Sequence, residues 1–207
     1  MLRIFYLCLL GLCQQVSATP TNDNALSQFL QDLPRLQAHF VQQRFDEDNE
    51  LLERSEGQFF IQRPDKFRWV YKQPYQQLIV ANEKYIFIYE KDLAQVTVKK
   101  ASETLHNSPI ILLMENGDNL TKNFNVTSTA KDNAETLILT PKKDGGQFQT
   151  LTIQFIDKQL HALEFIDALE QRTRIEFDQV KRNPTLDAHL FEFTPPEGVD
   201  LIDGRDG

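Results

Sequence analysis

The residues of this chain that are best suited to bind a ligand lie in the segment 57–74, GQFFIQRPDKFRWVYKQP. Side chains alternate between the two faces of a β-strand, so residues of one parity share a face. The odd-numbered face of this segment is aromatic and carries a single arginine; its residues are Phe59, Ile61, Arg63, Phe67, Trp69 and Tyr71. Such a face offers apolar area to a hydrophobic ligand, and an arginine on it is costly unless several hydrogen-bond acceptors meet it. The alternative is two ordinary half-buried strands with a surface arginine.

Residues for catalysis or metal binding form no recognisable pattern in the sequence. The histidines belong to no H-x-H or H-E-x-x-H motif; they are His39, His106, His161 and His189. There is no G-x-S-x-G motif, and Gly145 and Gly146 are typical of a hairpin turn rather than of a phosphate-binding loop. We therefore expect no enzyme activity, no metal and no cofactor, although carboxylates distant in sequence can still meet in three dimensions.

The elements that must position the aromatic face are mostly β-strands. Alternation predicts strands over residues 36–44, 51–62, 67–71, 77–81, 84–90 and 93–99, and over 124–130, 135–140, 148–156, 160–168 and 173–180. Helical spacing predicts a short helix over 24–33, ended by Pro34, and two helical pieces over 102–114, bent at Pro109. The whole pattern predicts a mainly β protein with a helical lid (α+β), an incomplete, strongly curved antiparallel β-barrel covered by short α-helices. Phe40 of the first strand is assigned to the same apolar surface as the aromatic segment.

The N-terminus is typical of a secretory signal over residues 1–18, with Arg3 before an apolar run and a small-residue VSA cleavage site. Cys8 and Cys13 both lie in the part that would be removed, so the mature domain, residues 19–207, would contain no disulfide. Lipid attachment at Cys13 is a less favoured alternative, because a bulky leucine precedes it. The formal net charge is −8 and there is no basic stripe, which argues against binding to nucleic acid.

Four motifs of the chain, in order, resemble those of the periplasmic outer-membrane lipoprotein carrier family, LolA. RPDKFRWVYKQP at 63–74 is similar to that family's RP-x-x-F-x-W…QP signature. LIV followed by NEK within 78–84 resembles its strand and turn, and NSP with the apolar residues after it, 107–114, resembles its N-x-P-helix segment. FEFTPPEGV at 191–199 resembles its F-x-F-x-P-P-x-G-V ending. The resemblance extends from about residue 24 to residue 200.

The resemblance implies a function. It implies a periplasmic chaperone that carries acylated lipoproteins from an inner-membrane ABC-type release complex to an outer-membrane lipoprotein receptor, with the acyl chains shielded in an apolar cavity. The aromatic face would line that cavity, the protein would be a monomer, and nucleic acid would not be a partner. An envelope-stress-sensing domain, or another lipid-binding module of the same fold, is the alternative.

The resemblance also implies a role for Arg63. In the family, the arginine of this motif donates hydrogen bonds to backbone carbonyls of the lid helices and holds the lid closed. Carried over by position, the acceptors are Leu30 and the region of Leu113 and Met114. The residues agree with this assignment, because both places end predicted helical regions, and the last carbonyls of a helix are unpaired and partly negative.

Overall fold

One sheet of twelve β-strands forms most of the computed structural model, which describes residues 25–105, 109–114, 120–143 and 148–205. The strands are β1 Arg35–Phe45, β2 Leu51–Gln62, β3 Lys66–Gln73, β4 Gln77–Ala81, β5 Tyr85–Glu90, β6 Gln95–Lys100, β7 Phe124–Lys131, β8 Ala134–Pro141, β9 Phe148–Ile156, β10 Gln159–Asp167, β11 Arg172–Arg182 and β12 Asp200–Gly204. Their order across the sheet is β12-β6-β5-β4-β3-β2-β1-β11-β10-β9-β8-β7. β12 and β7 lie at the two ends of this curved sheet, so the predicted incomplete barrel is confirmed.

Strands β1 and β11 join two meanders into this one sheet. Strands β1 to β6 follow one another as antiparallel neighbours, and so do β7 to β11. β1 pairs antiparallel with β11, which places Phe40 opposite Phe177 and Gln42 opposite Ile175. Because the buried residues of these strands alternate, one face of the combined sheet is apolar.

Short helices lie over this apolar face. They include α1 Ala25–Leu30, α2 Ala101–Leu105 and α3 Ile111–Met114, and α4 Leu120–Asn123 precedes β7. The buried side chains of α1 and α3 form one core with the sheet; among them are Leu26, Phe29, Leu30, Leu112, Leu113 and Met114. The helix predicted to reach residue 33 ends at Leu30, and Asp32 then has a left-handed backbone conformation with φ of 51°. Residue 24 and residues 106–108 of the predicted helices lie outside the described part of the chain.

The C-terminal segment crosses the outer face of the sheet and ends in β12, a strand that the sequence pattern did not predict. Arg68 Nη1 donates a hydrogen bond of 3.1 Å to the carbonyl of Leu190. The ring of Phe193 lies 5.5 Å from that of Phe87 and 5.8 Å from that of Tyr89, centroid to centroid. β12 then pairs with β6 in the parallel direction. This parallel pair lies at one edge of the antiparallel sheet, because the chain returns to β6 over the outside instead of through a hairpin.

Gly57 allows β2 and β3 to approach closely beneath the aromatic face. A Cβ atom at this position would lie 1.8 Å from the carbonyl oxygen of Val70 and 3.0 Å from Cε1 of Phe40. The first distance is to backbone, so a side chain here would force the two strands apart. The absence of a side chain at Gly57 thus helps to position the aromatic rings around it.

Candidate ligand-binding site

An apolar cavity of about 350 Å³ lies between the concave face of the sheet and the helices. Strands β3, β4 and β5 contribute Phe67, Trp69, Tyr71, Ile79, Ile86 and Ile88 to its wall. Strands β10 and β11 contribute Leu163, Phe165, Thr173, Ile175 and Phe177, and β1 contributes Gln42 and Arg44. The side opposite the sheet is formed by Thr104, Pro109, Ile110 and Leu113. The volume is within the range of about 300–1,000 Å³ that is usual for small-molecule pockets.

The structure divides the six residues that the sequence assigned to the cavity into two groups. Phe67, Trp69 and Tyr71 lie on the cavity wall. Phe40, Phe59 and Ile61 do not belong to that wall; all three are buried in the core. This difference from the expected placement has a simple reason. Parity determines which face of a strand a residue occupies, but not which neighbours cover it along that face.

The buried aromatic rings support the rings that form the wall. The ring of Trp69 stacks on Phe59 at 5.1 Å and lies 4.7 Å from the ring of Phe40. Phe40 also meets Tyr71 edge-on at 5.2 Å, and Phe59 meets Phe177 at the same distance. Such contacts favour particular ring orientations and help to position the rings of the cavity wall. The role of these residues in binding a ligand stays a prediction.

Arg63 joins the ends of two helices. It lies in the turn between β2 and β3, where Pro64 stands between the strands as predicted. Its Nη1 donates a hydrogen bond of 2.8 Å to the carbonyl of Leu30 and a longer one, 3.4 Å, to that of Leu33. Its Nε donates one of 3.1 Å to the carbonyl of Met114, the last residue of α3. Leu33 was not among the predicted acceptors. Leu113 was predicted together with Met114, and the structure places its side chain in the cavity wall.

Burial shapes the electrostatics of this arginine. It lowers the pKa of Arg63 from its ordinary value, but guanidinium groups stay protonated in proteins. Two of the carbonyls that it meets, those of Leu30 and Met114, are helix-terminal groups with partial negative charge. The charge is therefore matched by acceptors that are independent of side-chain identity.

A second arginine, which the sequence analysis missed, also binds the end of α1. Arg182 at the end of β11 donates a hydrogen bond of 2.6 Å from Nη1 to the carbonyl of Phe29, and one of 3.2 Å from Nη2 to that of Gln31. Its guanidinium lies 4.8 Å from the centre of the Phe29 ring. Next to it, Asn183 Nδ2 donates to the carbonyl of Asp32 at 2.8 Å. Nothing in the sequence distinguishes Arg182 from a surface charge at a strand end.

The cavity has one polar side. The hydroxyl of Tyr71 donates a hydrogen bond of 3.1 Å to Gln42 Oε1. Burial, and to a lesser extent the charge of Glu53, raises the pKa of Tyr71 to about 12, so this phenol is neutral at physiological pH. The indole N–H of Trp69 faces the Tyr71 hydroxyl and acts to lower the pKa of Tyr71. Within the described residues, however, no acceptor forms a hydrogen bond of ordinary geometry with this N–H.

Within 25–105, 109–114, 120–143 and 148–205, no group of three or more His, Cys, Asp or Glu side chains is arranged to hold a metal ion. His189 pairs with Glu192 at the surface, Nδ1 to Oε2 2.8 Å, and this hydrogen bond raises the pKa of His189. In the described part of the chain, no helix has the length and apolar character needed to cross a membrane.

An open, curved sheet with helices over its concave face and an apolar cavity beneath them is the architecture of a half-barrel protein. The sequence agrees with a particular family of this class. Residues 31–194 match the family model described as outer membrane lipoprotein carrier protein LolA, and the chain belongs to this family.

Individual relatives agree with this assignment. The outer-membrane lipoprotein carrier protein of Nitrosomonas europaea is 34% identical over 205 residues, which cover 98% of this chain and 99% of the relative. That of Xanthomonas oryzae pv. oryzae is 38% identical over 180 residues, or 86% of each chain. A solved structure of an uncharacterized conserved protein from Thermus thermophilus superposes with a TM-score of 0.57 at 12% identity, over 86% of this chain and 96% of that one. This last similarity shows a shared fold.

Proposed function

We propose that this protein is a periplasmic chaperone that carries acylated lipoproteins from an inner-membrane ABC-type release complex to an outer-membrane lipoprotein receptor. It works as a monomer, without catalysis and without a cofactor, and it shields the acyl chains of its cargo in the apolar cavity. Membership of the lipoprotein carrier family supports the class of cargo. The observation that carries the proposal is the apolar cavity between the aromatic face and the helices.

The lining of the cavity suits acyl chains. Removing acyl chain from water stabilises the bound state by about 0.8 kcal/mol per CH₂ group, without any directional bond. Phe67, Trp69 and Tyr71 offer large areas and few rotatable bonds, so little side-chain entropy is lost when a chain packs against them. Phe40, Phe59 and Ile61 lie in the core next to the cavity wall and help to keep those rings in place. Because apolar packing is not directional, a lining of this kind does not depend on one exact acyl-chain structure.

Arg63 is the proposed latch of the lid. Ile110 and Leu113 face the cavity from the helical side, so movement of α3 away from the sheet would enlarge and open the cavity. The hydrogen bonds of Arg63 to Leu30 and Met114 oppose this movement. Since opening costs free energy, the closed state lowers the apparent affinity for cargo in proportion to the open fraction. Moderate affinity suits a carrier that must release its cargo to a receptor.

The location follows from the proposed signal over residues 1–18, which lies outside the described residues; residues 19–207 would be the single mature domain. Transfer of acyl chains from a membrane into a water-borne carrier with moderate affinity needs a source of energy. An ATP-driven release complex in the inner membrane would supply it, and a receptor with higher affinity would take the cargo at the outer membrane.

Depletion of the protein in its host, with lipoproteins followed in separated membrane fractions, tests this function. We expect lipoproteins of the outer membrane to accumulate in the inner-membrane fraction, and wild-type protein to restore their distribution. Phe67→Glu should not restore it, because a carboxylate in the cavity opposes the entry of acyl chains. Ile138→Glu, an exposed position on β8, is the matched control and should restore it. A normal distribution of lipoproteins after depletion would contradict the proposal.

A further inference from the structure

The concave face becomes polar at the end of the strands farthest from Arg63, and we propose that this polar cluster binds the ester and amide carbonyl groups that join the acyl chains to the N-terminal cysteine of the cargo. The cluster consists of Gln42, Arg44, Glu53, Ser55 and Tyr71. The inference rests on the proposed function, because it assigns a head-group subsite to the same cavity.

The members of the polar cluster are direct neighbours on three strands. Arg44 pairs across the sheet with Glu53, and Gln42 pairs with Ser55. Arg44 Nη1 lies 3.4 Å from Glu53 Oε2, and the hydroxyl of Ser55 donates a hydrogen bond of 2.8 Å to Glu53 Oε1. The hydroxyl of Tyr71 donates to Gln42 on the same face. The arrangement is therefore held by one contact within β2 and by contacts between strands.

The polar cluster stands where a ligand would leave the apolar cavity. Gln42, Arg44 and Tyr71 line that cavity and also an adjoining cleft of about 510 Å³. The cleft is lined further by Glu53 and Ser55 and reaches the surface beside Tyr75 and Leu93, which are 69% and 67% exposed. Acyl chains that fill the cavity would thus place the group to which they are joined at the polar cluster, and the attached polypeptide in the cleft.

The hydrogen-bonding groups match neutral acceptors. Arginine has five N–H groups, and the contact between Arg44 and Glu53 uses one of them. The indole N–H of Trp69 is buried, in a residue that is 7% exposed and lines the cavity, and no acceptor within the described residues satisfies it. Ester and amide carbonyls are acceptors that such donors can bind. The carboxylate of Glu53 at the same place disfavours a free fatty acid, whose head group is negatively charged.

A pair of ligands tests the inference on the wild-type protein. One is a peptide whose N-terminal cysteine carries two octanoyl ester chains on a glyceryl thioether; the other has dioctyl ether chains and so lacks the ester carbonyls. The single tryptophan of the sequence, Trp69, reports binding by fluorescence. We expect the ester peptide to bind about tenfold more tightly than the ether peptide, and free octanoate to bind more weakly than either.

Variants of the polar cluster localise the effect. Gln42→Leu and Arg44→Met should reduce the ester preference to about twofold or less. Arg54→Met is the matched control, because Arg54 is an exposed arginine paired with Glu56 at 3.2 Å, and this variant should keep the full preference. The ratio of the two affinities is taken within each variant, so a partial loss of folded protein does not alter it.

The outcomes separate the two proposals. Equal binding of ester and ether peptides by the wild-type protein would overturn the head-group subsite and leave the carrier function standing. A full ester preference in both Gln42→Leu and Arg44→Met would also overturn it. If neither acylated peptide bound, the carrier function itself would fail.

Discussion

The two helical segments over the concave face, α1 and α3, are held to the sheet in different ways. The end of α1 and the turn after it receive hydrogen bonds from Arg63, Arg182 and Asn183, and Glu135 accepts one from the first backbone N–H of α1 at 3.1 Å. Among the described residues, the hydrogen bond from the sheet to the end of α3 comes from Arg63.

The two helical segments also differ in what they contribute to the cavity wall. Ile110, just before α3, and Leu113, within it, face the cavity, whereas the described wall contains no residue of α1. We infer that α1 is a fixed part of the fold and that α3 is the movable part of the lid. Arg63 is the residue that connects the two.

The largest expected contrast is between two buried leucines, Leu26 of α1 and Leu113 of α3, which are 0% and 1% exposed. Leu26→Ala should lower the free energy of unfolding by about 3 kcal/mol, because it leaves a hole in a fixed core. Leu113→Ala should lower it by about half as much, because its side chain borders an existing cavity and its helix is held less firmly. Urea denaturation measures both; equal losses would remove the distinction between the helices.

A pH effect at Tyr71 sharpens the comparison. Its pKa is raised to about 12 in the folded protein, against about 10 in the unfolded chain, so the unfolded chain loses this proton first as pH rises. The contribution of Tyr71 to the free energy of unfolding is therefore fully present below about pH 10. It falls by about 2 kcal/mol as the pH rises to about 12. Unfolding of wild type and of Tyr71→Phe at both pH values isolates the effect.

The loss of stability at alkaline pH, measured in two arginine variants, tests the difference between α1 and α3. Arg63→Leu should release α3, expose Tyr71 to water and reduce the alkaline loss of stability. Arg182→Leu acts on α1 and should leave that loss unchanged. A reduced loss in Arg182→Leu, or an unchanged loss in Arg63→Leu, would contradict the assignment of α3 as the movable part.

The smallest expected effect is that of Arg182→Leu on stability. Arg182 is exposed, so water replaces much of what its hydrogen bonds to Phe29 and Gln31 contribute, and we expect a loss of about 1 kcal/mol. The affinity for an acylated peptide should not change, because α1 does not line the cavity. Thermal unfolding and Trp69 fluorescence measure the two quantities, and a changed affinity would show that α1 also moves.

Most of the sheet could be predicted from the sequence, because alternation of apolar residues depends only on the two-residue period of a strand. The same rule placed Phe67, Trp69 and Tyr71 on one face. It could not separate them from Phe40 and Phe59, whose burial depends on aromatic rings of other strands.

Features that depend on distant parts of the chain were not predictable in this way. β12 contains the adjacent apolar residues Leu201 and Ile202 without alternation, and it pairs with a strand about a hundred residues earlier. Arg182 binds carbonyls of α1 from the other end of the chain. Two acceptors of Arg63, Leu30 and Met114, were predicted because helix ends leave carbonyls unpaired and because the RP motif resembled that of the family, whereas Leu33 was not.

The proposed role of α3 as a lid depends on the hydrogen bonds of Arg63. Arg63→Leu keeps much of the aliphatic bulk but removes the bonds to Leu30, Leu33 and Met114. Each hydrogen bond from a charged group contributes about 1.5–3 kcal/mol, less what water restores, so in this variant the open state gains population and closure no longer opposes binding.

The measurement is the affinity of this variant for the octanoyl ester peptide, together with the transfer of bound lipoprotein to the outer-membrane receptor. We expect binding about tenfold tighter than wild type and slower transfer, with Arg182→Leu unchanged in both. Affinity and transfer equal to those of the wild-type protein would contradict the assignment of Arg63 as the latch.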